Sequence, residues 1–244
     1  MIQINKTLYN DVGKTGTSFV LAQLHSLCNN VHVERHKLIS PELLDTSTLL
    51  LSSIRNPYHY YVSNFSYEKK TSGPLISTFR RQGKQYDTFK EHVRTIYNPK
   101  YQWLQKELDM WYNKPVEVGL LTFRYLAWAD TGFFKVKRTY EDVQRWYDQH
   151  YFDEYSKFKF IGQNNLATDL CDLIEKHQNC FNLKSDWKEI ITSVKNSTIH
   201  DDPSMSPKGY KYQGLNYASF YDEETKNLVY SGEKILIDHF RYTV

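Results

Sequence analysis

Cysteine is scarce in this 244-residue chain: Cys28, Cys171 and Cys180 are the only three, an odd number with no Cys-x-x-Cys pair. That argues against both a disulfide framework and a structural zinc site. Long apolar runs are missing as well. None approaches the ~20 residues needed to cross a bilayer, and the start, Met1-Ile2-Gln3-Ile4-Asn5-Lys6, carries no extended apolar segment of the secretory type. The expectation is a chain with no membrane span, folded in a reducing, cytoplasmic compartment. An excess of one charge is also lacking. The 31 basic and 28 acidic residues leave a formal net charge of +3, spread along the chain. A dedicated nucleic-acid binder would concentrate its basic residues in a stripe, so none is expected as a partner, although a local basic pocket remains open. Internal repeats and low-complexity tracts are absent.

Aromatic residues, by contrast, are plentiful: 16% of the chain, with 20 Tyr. They suit a cleft lined by amphipathic rings as well as an ordinary core. The length falls between one large domain and two small ones. We read a single domain, 1–244, with a core at 1–70, a mostly helical middle at 75–155 and a closing segment at 156–244.

The first third alternates short apolar runs with amphipathic segments, a β-loop-α-β-β-α pattern that predicts an α/β fold with a central parallel sheet flanked by helices. Strands are expected at Ile2 to Tyr9, Val31 to Arg35 and Thr48 to Ile54, and a helix at Thr17 to Cys28. Pro57 suits the first turn of a helix running to about Lys69. Further helices are expected near Tyr86 to Tyr97, Tyr101 to Tyr112 and Tyr140 to His150. Gly119 to Trp128 reads equally as helix or strand. Phe158 to Ile161 predicts a strand, Asn164 or Asn165 the cap of a helix carrying Leu166, Leu170, Leu173, Ile174 and His177 on one face, and Tyr221 to Tyr242 a last helix. Ser197 to Gly214 reads as a long loop.

The sharpest local signal is Val12-Gly13-Lys14-Thr15-Gly16-Thr17-Ser18, between a strand and an amphipathic helix. Such a loop presents backbone N–H groups and a helix N-terminus to an anion, and a lysine adds a full positive charge. A nucleoside triphosphatase of the Walker type would need glycine where Leu8 stands. It would also need a carboxylate for Mg²⁺ near the end of the third strand, which reads Ser52-Ser53-Ile54-Arg55.

Lys14-Thr15-Gly16-Thr17-Ser18 resembles the 5′-phosphosulfate loop of the sulfotransferases that use 3′-phosphoadenosine 5′-phosphosulfate (PAPS). Arg55-Asn56-Pro57-Tyr58-His59-Tyr60-Tyr61-Val62-Ser63 resembles the family's 3′-phosphate segment, in which a strand-end arginine and a serine eight residues on hold that phosphate. A weaker match is Ser206-Pro207-Lys208-Gly209-Tyr210, where the family closes a basic loop over the nucleotide. Gly13, where proline is common, and His59-Tyr60, where Asp-Arg is frequent, depart from the pattern. The specific motifs lie in residues 7 to 67, and residues 75 to 155 match poorly.

The resemblance implies a P-loop-like sulfotransferase architecture, PAPS as donor, the bisphosphate PAP as product and no required metal. Lys14, Thr15, Gly16, Thr17, Ser18, Arg55, Ser63 and Lys208 would bind the donor, with Lys14 stabilising charge on the leaving 5′-phosphate. The general base would come from Val31-His32-Val33-Glu34-Arg35-His36, with His36 first, Glu34 second and His32 on the same face. His25 reads as a helix-surface or core-rim residue, and His59 as solvent-facing or assisting at the 3′-phosphate. The acceptor, a saccharide or other small molecule, would meet Trp103, Trp111, Tyr125, Trp128 and Trp146, which a helical core explains equally well. Two rival classes are a Mg²⁺-dependent, kinase-like enzyme and a noncatalytic nucleotide- or glycan-binding module.

Overall fold

The computed structural model describes residues 1–34, 38–71, 87–97, 118–130, 133, 138–196 and 216–244. They divide into two compact units: Met1–Arg55 with Trp128–Gly132 and Trp146–Gly214, and Asn56–Ala127 with Phe133–Arg145 and Leu215–Val244. The predicted segments Tyr101 to Tyr112 and Ser197 to Gly214 lie outside the described residues. Among the described residues no helix is long and apolar enough to cross a membrane.

The first unit is α/β, with a five-stranded mixed sheet. The run expected as one strand, Ile2 to Tyr9, is a hairpin of β1 (Ile2–Ile4) and β2 (Thr7–Asn10). Asn5, in the left-handed region at φ 50°, opens the two-residue turn, a conformation that asparagine tolerates. The turn reverses the chain, so the sheet is not wholly parallel as predicted. Its order is β3 (His32–Val33), β1, β2, β4 (Leu49–Ile54), β5 (Phe158–Gly162). β1 runs antiparallel to both β2 and β3, whereas β2, β4 and β5 run parallel. Two successive reversals give β3 the direction of β2. Four strands therefore end on one edge of the sheet, where open α/β sheets hold their ligands.

One face of the sheet is covered by α1 (Thr17–Leu27), α7 (Leu166–Lys176) and α8 (Trp187–Lys195), in the numbering where α2 is Pro41–Thr46. Ile2, Ile4, Tyr9, Leu49 and Leu51 pack there against Val20, Leu24, Leu170 and Ile174. Side chains at alternate positions turn to the opposite face. There Ser52 and Asn10 bond the Tyr151 hydroxyl, the first of these at 2.6 Å. α2 went unpredicted although Ser40-Pro41-Glu42 spells a helix start: the Ser40 hydroxyl accepts from Leu43 N–H and Pro41 takes the first position.

The second unit contains α3 (Pro57–Thr71), α4 (Phe89–Tyr97), residues 120–127 of α5 (Leu120–Ala129), residues 140–145 of α6 (Tyr140–His150) and α9 (Glu223–Phe240). Gly119 to Trp128, ambiguous in sequence, is helical. Asn56 caps α3 through Tyr58 N–H at 2.9 Å, with Pro57 at the first position as expected. Asp222 and Thr225 form a reciprocal capping box at the start of α9.

Candidate functional site

The loop from Asp11 to Gly16 joins the end of β2 to α1 on the shared strand-end edge. Lys14 (φ 72°) and Gly16 (φ 101°) both adopt left-handed backbone, and Thr15 between them does not. Alternating handedness curls successive N–H groups toward one point, the geometry of an anion nest. Gly16 is the N-cap of α1 and has no side chain to accept from the helix's first N–H groups. Glycine is required here because the left-handed cap carries no Cβ penalty. Ser18, one residue into the helix, is exposed.

Beneath the loop lies a buried hydroxyl chain that sequence reasoning missed. Thr15 and Thr17 both donate to the Val12 carbonyl, at 2.7 and 3.0 Å. Ser53, at the end of β4, lies 2.7 Å from the Thr15 hydroxyl and also bonds the Tyr9 hydroxyl. Each hydroxyl carries one proton. With Thr15 donating to Val12, Ser53 must donate to Thr15, and Tyr9 then donates to Ser53, keeping only a 3.4 Å contact to Thr17. Burial pushes the Tyr9 phenol up to about 12, so it stays a neutral donor. The side chains of Thr15 and Thr17, fully or nearly buried, thus hold the loop in shape. Any contact they make to an anion runs through their N–H groups. The available signal was position: Ser53 is two residues from Leu51 and so shares the sheet face of Tyr9.

Arg55 closes β4 and is buried, and its Nη1 donates to the Lys14 carbonyl at 3.1 Å. The guanidinium therefore helps hold the left-handed turn and adds positive charge beside Lys14. Asp11, fully buried at the start of the loop, was also missed. Glu34 lies on the same sheet edge. Val33 and Tyr9 both pair with Ile2, which sets Glu34 and Asn10, each one residue further on, about 10 Å apart at two strand spacings. Its carboxylate is 3.6 Å from His32 Nε2. His36 and Lys208 lie outside the described residues.

Ser63 belongs to the second unit, buried on α3. His25 is exposed on α1, and His59 is half-buried with its ring stacked 3.9 Å from that of Tyr217. Of the aromatic residues read as acceptor-facing or as helical core, those described are buried. Tyr125, Trp128 and Trp146 are all buried, and Trp146 stacks on His150 and meets Phe158 edge-on. Trp103 and Trp111 lie outside the described residues.

The defined class is thus an α/β protein with a mixed sheet and a cation-bearing, nest-like loop at its strand-end edge. Comparisons with family models, curated proteins and solved structures find no match to this chain.

Proposed function

We propose that the protein is a PAPS-dependent sulfotransferase of P-loop-like architecture, acting on a hydroxyl or amine of a small molecule, with a saccharide as the preferred class. The observation that carries this reading is the loop itself, in which left-handed Lys14 and Gly16 lead from β2 into the N-terminus of α1 and the Arg55 guanidinium braces the turn. A second feature favours it over the kinase-like alternative. β4 brings a hydroxyl, Ser53, to Thr15 where a Mg²⁺-dependent nucleotidase would bring a carboxylate.

PAPS supplies the sulfuryl group, whose bond to the 5′-phosphate oxygen breaks as a bond to the acceptor oxygen or nitrogen forms. In this reading Lys14 neutralises charge on the departing phosphate oxygen, and the helix N–H groups orient it. Glu34 or His36 takes the acceptor proton. Arg55 supports the loop and, as in the motif it resembles, holds the 3′-phosphate.

Calorimetric titration with PAP and, separately, with ATP and Mg²⁺ tests the reading. PAP should bind, and Lys14→Ala should weaken it by about tenfold or more. Binding of ATP with Mg²⁺ alone would transfer the protein to the kinase-like class. PAP binding without sulfuryl transfer to any saccharide, amine or phenol would leave a binding module.

A further inference from the structure

The one charged residue of α5 is Arg124, and every other residue of that helix is buried. Arg124 is itself half-buried, and its sequence neighbours Phe123 and Tyr125 are fully so. A guanidinium drawn into such surroundings needs a counter-charge or acceptors to offset its lost hydration. The protein supplies one acceptor: Nη1 donates to the Tyr60 hydroxyl of α3 at 2.5 Å. No ion pair among the described residues includes Arg124, and no hydrogen bond there uses its Nε or Nη2.

The carboxylate whose charge reaches Tyr60 is Glu233 of α9, which is fully buried and engaged elsewhere. Its Oε1 accepts from the Tyr61 hydroxyl at 2.7 Å and from Leu121 N–H at 2.8 Å. Oε2 accepts from Thr122 N–H at 2.8 Å and from the Thr122 hydroxyl at 2.7 Å. Four donors fill the capacity of a carboxylate. Glu233 therefore caps the first turn of α5 and is not the counter-ion of Arg124.

Asn64, one turn along α3 from Tyr60, is a second and independent observation. It is 5% exposed, and its amide meets the same Tyr60 hydroxyl. Burial raises the Tyr60 phenol above its ordinary range, so the phenol keeps its proton. With the amide nitrogen toward Tyr60, that proton has no acceptor, and the buried Asn64 Oδ1 has no partner. The oxygen and nitrogen of an amide exchange places by a half-turn. With the oxygen toward Tyr60, a directed chain forms: Arg124 donates to Tyr60, and Tyr60 donates to Oδ1. Asn64 Nδ2 then presents its hydrogens where the protein offers no acceptor, so the polar groups left over are all donors.

Two groups bonded to one oxygen lie within about 6 Å of each other, close enough to share one small ligand. The unused edge of Arg124 is Nε with Nη2. Arg94 turns that same edge to both oxygens of Glu224, at 2.5 and 2.7 Å. This planar fork matches a carboxylate. We propose that Arg124 and Asn64 form a binding site for the carboxylate of a small organic acid, held by the Nε–Nη2 edge with Nδ2 as a further donor. The site lies wholly within the second unit and does not rest on the sulfuryl-transfer reading.

Nuclear magnetic resonance of the full chain tests the site. Sodium acetate is titrated in at constant ionic strength against sodium chloride, and sodium sulfate is titrated separately. The signals followed are Arg124 Nε–H, assigned by its loss in Arg124→Lys, and the Asn64 side-chain amide, assigned by its loss in Asn64→Asp. Acetate should shift both signals along one saturable curve. Arg124→Lys keeps the charge and removes the fork, so the Asn64 signal should then need about tenfold more acetate or beyond. Asn64→Asp supplies a carboxylate from inside and should abolish the response of Arg124. The titration of the unaltered protein decides the question if a variant does not fold. A response that never saturates, one that chloride reproduces, one confined to a single signal, or one given by sulfate and not by acetate would each overturn the site. So would an unchanged acetate response in both variants.

Discussion

Both units bury a chain of hydroxyls, and the two chains end differently. In the first, Tyr9, Ser53 and Thr15 pass their protons toward the Val12 carbonyl, a neutral acceptor. In the second, Tyr97 and Tyr61 pass theirs toward the Glu233 carboxylate. The same hydrogen-bond chemistry therefore ends on a neutral backbone acceptor beneath a loop in one unit, and on an ionisable carboxylate at a helix junction in the other. A neutral terminus costs nothing electrostatically when buried and satisfied, whereas a buried carboxylate carries a desolvation penalty even with four donors around it.

The largest break in this comparison should come from Glu233→Ala. It leaves the Tyr61 hydroxyl and the Leu121 and Thr122 N–H groups without their acceptor, and it opens a cavity, so urea unfolding at neutral pH should show a loss of about 3 kcal/mol or more. Gly119→Ala forces a methyl group into the carboxylate's place and should cost about 1–3 kcal/mol by the same measurement. Ser53→Ala in the first unit breaks two neutral links and should cost about 1 kcal/mol. That loss should be the same at every pH at which the protein is folded, whereas the Glu233→Ala loss should vary with pH.

The smallest effect is a change in the shape of stability against pH. Because the Glu233 value is raised in the folded state, its contribution is fully present below the unfolded value and is lost as pH rises through the folded one. Glu224 has the opposite sign. Hydrogen bonds from Arg94 and Lys90 pull it down to about 2, so its contribution is present above the unfolded value and is lost as pH falls toward about 2. His92, which burial holds down to about 3, likewise loses its contribution as pH falls from its unfolded value. Glu224 and its partners are exposed and screened by salt, and the two buried groups are not. Urea midpoints at low and high ionic strength should therefore show a shallower acid decline at high salt and an unchanged alkaline decline. A parallel loss of both limbs would place the alkaline limb on the surface instead.

The site was partly legible in the sequence because its signals are local. Gly16 marks a left-handed cap, Lys14 a charge beside it and Pro57 a helix start, and each acts within a few residues of itself. β4, β5, α6 and α7 were readable for the same reason, since apolar periodicity and capping residues are short-range. The Ile2–Tyr9 hairpin was not readable, because Asn5-Lys6 is a weak turn signal inside a segment with uniform strand propensity. The aromatic residues left two readings open because composition gives ring number and not direction, and only the fold shows that Trp146 and Tyr125 turn inward.

What the chain determined by itself is where the candidate loop lies and which elements flank it, since the glycine at its helix cap and the apolar periods on either side act within a few residues of themselves. Only the tertiary structure decided that Ser53 closes the loop from 38 residues beyond Thr15, and that Glu233 caps a helix more than 100 residues before it, with the Leu121 N–H bond spanning 112 positions. A buried polar group finds its partner in space, and no local pattern encodes which distant donor will be brought within reach.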